Sequence, residues 1–84
     1  MNMTVQEEMA VFCGNVKRLR KGKGHTRKEM AARLGIGVGT LTRLEKGEIP
    51  PRLSVSVVCR ICREFDIYPK ELFMAVDGEG RQPK

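Results

Sequence analysis

Apolar residues recur three and four positions apart along most of this chain, the spacing of helices that each bury one face. Met9, Phe12, Val16 and Leu19 fall on one such face. Ahead of them, Thr4-Val5-Gln6-Glu7 has the form of a capping box, and Glu7 and Glu8 suit the positive end of a helix. These signals predict a first helix to about Lys21, closed by Gly22 and Gly24, with Lys17 to Lys23 placing positive charge at its end. Gly14 weakens the middle, so a start near Val11 is the alternative, with residues 1–10 as an arm.

Thr26 and Glu29 form a second capping box, and Met30, Ala31 and Leu34 make the buried side of a second helix. A third starts at Gly37, a weaker cap than Ser or Asp, and runs to Lys46, with Gly47 as its stop. Pro50 and Pro51 belong to a loop. A fourth helix spans about Leu53 or Ser54 to Phe65, and a fifth opens with Pro69 at its first turn and carries Leu72 and Phe73. Residues 11–75 thus read as one domain, and residues 76–84 as a loose tail. With no alternating strand pattern, the fold expected is all-α: a compact bundle of five short helices.

The second and third helices meet at Leu34-Gly35-Ile36. Ala31 is small enough for close approach, Gly35 can take positive φ at the corner, and Leu41 and Leu44 bury the inner face. Such a unit turns its second helix outward.

Charge is distributed to suit an outward helix that meets an anion. Residues 1–14 hold Glu7 and Glu8 and no base. Residues 15–46 hold ten Lys and Arg against Glu29 and Glu45, a net of +8, and the remainder is balanced. The positive charge therefore surrounds the two-helix unit, as expected where phosphates are bound. A merely soluble surface would scatter both signs more evenly.

The 84 residues make one small domain, too small for a second core and helped by dimerisation. No apolar run approaches the roughly 20 residues of a membrane span, and the acidic first residues lack a signal peptide's basic start. The expected compartment is the cytoplasm, with no membrane partner. Three cysteines make a poor disulfide framework. Cys59-x-x-Cys62 invites a metal or redox reading, but only Cys13 and His25 remain as further ligands, so packing is the expected role and no metal or cofactor is expected. His25 is expected packed or half-exposed.

Taken in order, Gly14-x-Val16-Lys17-x-Leu19-Arg20, Thr26-x-x-Glu29-Met30-Ala31-x-x-Leu34-Gly35-Ile36 and Thr40-Leu41-x-Arg43-Leu44-Glu45-x-Gly47 resemble the lambda-repressor/Cro-like helix-turn-helix family of XRE-type regulators. Ile61-Cys62-x-x-Phe65-x-Ile67 and Glu71-Leu72-Phe73 extend the resemblance over about residues 14–73. It implies a five-helix domain that binds double-stranded DNA, usually as a homodimer on a two-fold operator. By position, Arg27 matches a residue that contacts the DNA backbone. Val38, Gly39, Thr42 and Arg43 match recognition-helix positions that meet base edges, and Thr40 a neighbouring phosphate contact. Arg20 and Glu45 match an ion pair that ties the first helix to the end of the third. Lys28, Lys46 and Arg52 complete the residues expected at DNA.

The chain departs from this pattern at Gly37-Val38-Gly39, where the usual entry to the recognition helix is polar. Val38 can meet only a thymine methyl and Gly39 offers close backbone approach, so base reading narrows to Thr42 and Arg43. The loop from Glu48 to Arg52 is about two residues longer than the common form, and Tyr68 stands where a Ser, Thr or Asp cap is usual. The function expected is a sequence-specific transcriptional regulator, a repressor in the first instance. The alternative is an antitoxin that also autoregulates its operon through a protein partner. An enzyme is not expected: there is one His, no base beside Ser54 or Ser56, and no phosphate-binding Gly-x-x-x-x-Gly-Lys loop.

Overall fold

A computed structural model of the chain describes residues 4–50 and 53–74. The expected loose tail at 76–84, Pro51 and the DNA-contact candidate Arg52 lie outside those residues, as do the first three of the expected arm. The described chain forms α1 (Val5–Gly22), α2 (Arg27–Leu34), α3 (Val38–Glu45), α4 (Val55–Phe65) and a 3-10 helix (Pro69–Phe73), with no strand among the described residues.

Both capping boxes close. The Thr4 hydroxyl accepts the Glu7 N–H at 3.0 Å while the Glu7 carboxylate accepts the Thr4 N–H at 2.8 Å. Thr26 and Glu29 repeat the exchange at the same distances. The first helix therefore begins at Val5, not Val11. Gly14 does not break it, because Gly14 faces outward with open space around it while Phe12, Cys13 and Val16 bury the opposite side. Gly37 serves as the cap of α3 without a side-chain bond, and Lys46 closes it, so the helix is one residue shorter at each end than expected.

The fifth helix differs in kind: it is a 3-10 turn of five residues, and Met74 returns to extended backbone. Pro69 fixes its start but leaves no room for an α-helical ladder before that exit. Its entry is held not by Tyr68 but by the Glu71 carboxylate, which accepts the Tyr68 N–H at 2.8 Å.

Phe12, Val16, Met30, Leu34, Leu41, Leu44, Ile61 and Leu72 are buried together, one or more from every element. α1 packs against the 3-10 helix and α3, while α2 packs against α3 and α4. Phe12 stacks on Phe73 with ring centroids 5.2 Å apart. The sequence pattern did not single out Asn15, which is buried in α1 and donates to the carbonyls of Leu72 at 2.7 Å and Met74 at 3.0 Å. That amide ties the end of the described chain back to the first helix.

Cys62 lies on the buried side of α4 and Cys59 is exposed, and all three thiols are free. Burial first, then the neighbouring Cys59 and Glu71 side chains, push the Cys62 thiol up from its ordinary value.

Candidate nucleic-acid interface

The corner between α2 and α3 fixes where the outward helix points. Gly35 takes φ 71°, ψ 31°, and the Ile36 N–H donates to the Ala31 carbonyl at 3.0 Å. A left-handed residue at this place satisfies the last carbonyls of α2 and turns the chain sharply into α3. Gly47, at φ 99°, ends α3 in the same hand.

On α3, Leu41, Leu44 and Glu45 face inward. At about 100° per residue, Gly39, Arg43 and Lys46 then lie opposite that buried edge, with Thr40 and Thr42 on the two flanks. The exposures agree: Val38, Gly39, Arg43 and Lys46 are exposed, and Thr40 and Thr42 half-buried. Nothing lies within 4 Å of where a Gly39 Cβ would stand, so the fold itself does not require glycine there. The Thr42 hydroxyl donates to the Val38 carbonyl at 2.9 Å. Its only hydrogen is thus engaged, so the hydroxyl can meet a further partner only as an acceptor.

Beside this helix, Arg20, Glu45 and Arg27 form a single cluster. Arg20 donates Nε to Glu45 Oε2 at 2.7 Å and Nη2 to Oε1 at 3.0 Å, and its Nη1 reaches the His25 carbonyl at 2.9 Å. The expected pair between the first and third helices is therefore a two-pronged one, the stronger form of such contacts. Arg27 adds its Nε to Glu45 Oε1 at 3.2 Å, a contact the sequence reading missed. Arg27 and Glu45 are 18 positions apart, and only the corner geometry brings them together. The Glu45 side chain is 1% exposed and that of Arg27 43%, so one arginine end is locked while the other still meets solvent. Burial alone would raise the Glu45 pKa; hydrogen bonds and then charge from Arg20 and Arg27 outweigh it, and the carboxyl sits below its usual 4.5.

Lys28 is exposed next to Arg27 at the start of α2, and Lys46 at the end of α3. An open cleft of about 340 Å3 adjoins α3, lined by Ile36, Gly37, Thr40, Arg43, Pro50, Leu53 and Val57. Of the nine residues expected at DNA, eight are described, and they gather on or beside α3 and the start of α2. No group of acids, histidines and cysteines that could hold a metal occurs among the described residues. No helix among them is long and apolar enough to cross a membrane.

A helix-turn-helix family model matches residues 16–72. Among solved structures, the chain is similar to the restriction-modification controller protein C.AhdI from Aeromonas hydrophila, at 25% identity and a TM-score of 0.66. That likeness covers 77% of this chain and 96% of the other. None of the curated proteins matches significantly.

Proposed function

The chain belongs to the helix-turn-helix family of XRE-type DNA-binding transcriptional regulators, which are not enzymes, and on that premise we propose that α3 enters the major groove and Arg43 reads sequence there. The observation that carries the reading is the split of α3: Leu41, Leu44 and Glu45 are buried, while Gly39, Arg43 and Lys46 stand on the opposite edge. Arg43 makes no ion pair among the described residues, and its planar fork can take guanine O6 and N7 together. Arg27, Lys28, Thr40, Lys46 and Arg52 serve the phosphates, and Val38, Gly39 and Thr42 fit the helix against the bases.

The protein acts as a homodimer on a two-fold operator and represses by occupying it. A more specific reading is a controller of restriction-modification genes, which rests on the likeness to C.AhdI. An adjacent toxin gene would instead support the antitoxin reading. The test of base reading is Arg43→Ala measured on a site selected from random duplexes and on random DNA. The expected loss is roughly 1–3 kcal/mol on the selected site and much less on random DNA. Equal losses on both would make Arg43 a phosphate contact and refute base reading.

A further inference from the structure

The residues assigned to DNA leave a second basic cluster unused. Arg33 of α2 with Arg60, Arg63 and Glu64 of α4 line an open concavity of about 290 Å3 where the two helices meet. Arg33 Nη1 is paired with Glu64 Oε2 at 2.7 Å. Arg60 and Arg63 are exposed and have no acidic partner among the described residues. The hollow therefore holds three guanidiniums and one carboxylate already committed to one of them. The bare Gly35 corner helps make the space: a Cβ there would stand 2.6 Å from Arg60 Nη1.

This cluster is on the wrong side to serve the DNA face. Met30, Ala31 and Leu34 mark the buried stripe of α2. At about 100° per residue, Lys28 and Arg33 project from opposite flanks of that stripe. Lys28 lies with Arg27 at the start of α2, whereas Arg33 turns toward α4.

We propose that the Arg33–Arg60–Arg63 hollow docks an acidic segment of a protein partner while α3 occupies DNA. Two free guanidinium forks can each take one carboxylate, and they stand off the face given to DNA, so the complementary occupant is a run of spaced acidic side chains on a protein rather than the bound duplex. The inference rests on the DNA-binding reading only in placing the partner on the face that DNA leaves open.

The test uses the full chain saturated with a selected DNA duplex and a fluorescein-labelled decapeptide of alternating glutamate and serine. The same peptide with glutamine in place of glutamate is the control. The acidic peptide should bind the protein–DNA complex in a salt-dependent manner. Arg60→Ser/Arg63→Ser should weaken it about tenfold, the effect of two exposed ion pairs, and leave duplex affinity unchanged. Arg63→Ser alone, which does not touch the Gly35 corner, should give part of the loss. Equal binding of acidic and glutamine peptides would overturn the proposal. So would a loss of duplex affinity in the Arg60/Arg63 variant, since the cluster would then be a phosphate contact. Failure of the unaltered protein to bind DNA would refute the DNA reading instead, and the peptide titration of the DNA-free chain would still test the hollow.

Discussion

Gly39→Ala should make the protein more stable and a worse DNA binder. Gly39 is the second residue of α3, its φ is not in the left-handed region, and an added Cβ meets no heavy atom within 4 Å. No clash or backbone strain therefore opposes alanine, which restricts the unfolded chain and favours helix by about 0.5–1 kcal/mol. For a domain of this size that corresponds to a rise in Tm of roughly 2–8 °C. The new methyl stands on the outward edge beside Arg43, where, with α3 in the major groove as proposed, it would hold the helix away from the base edges. Bidentate contacts tolerate little lengthening, so the selected site should lose roughly 1–3 kcal/mol, about 5- to 150-fold, and random duplex much less. Thermal melting followed by circular dichroism and fluorescence anisotropy on labelled duplexes measure the two effects. A stabilised variant with undiminished affinity would refute the idea that this glycine serves close approach. A destabilised variant would refute the open surroundings assigned to it.

Arg20→Ala should cost about 3 kcal/mol, because it leaves the buried Glu45 carboxylate with Arg27 alone. Glu45→Ala in the same background should cost little more, and single and double variants that add within about 0.5 kcal/mol in urea melts would refute the pairing. The depressed Glu45 pKa gives a pH dependence of definite sign. Its contribution is complete above the unfolded value near 4.5 and is lost as pH falls through the folded one. The unaltered protein should therefore lose more of its urea midpoint between pH 6 and pH 3 than Glu45→Gln does; equal losses would contradict this. Lys28→Ala should weaken selected and random duplexes alike and reduce the salt slope by about one, and a slope unchanged on both would remove Lys28 from the phosphate contacts.

The parts of this fold that were legible in the sequence are those fixed by neighbours three or four positions away. Thr4 with Glu7 and Thr26 with Glu29 close their caps within one turn, and Gly35 makes its corner with Ala31 and Ile36. The outward edge of α3 followed from the same spacing, because Leu41 and Leu44 determine which residues of the helix must point away. What depended on distant partners was less visible. Asn15 is a polar residue beside an apolar stripe, and its reason is two carbonyls 57 and 59 positions later. Arg27 carries the same charge whether it faces phosphate or Glu45; only the crossing of α2 and α3 shows that its Nε is already engaged. The 3-10 form of Pro69–Phe73 was hidden for another reason, since five residues bear too short a pattern to separate it from an α-helical turn.

Methylation interference on a selected duplex tests most directly whether α3 reads the major groove. Methyl groups on guanine N7 project into that groove, where the contact proposed for Arg43 would meet them. The expected result is interference at a guanine N7 in each of two half-sites about one helical turn apart, lost at that guanine in Arg43→Ala. Interference confined to adenine N3 in the minor groove, or none at any base despite tight binding, would contradict it.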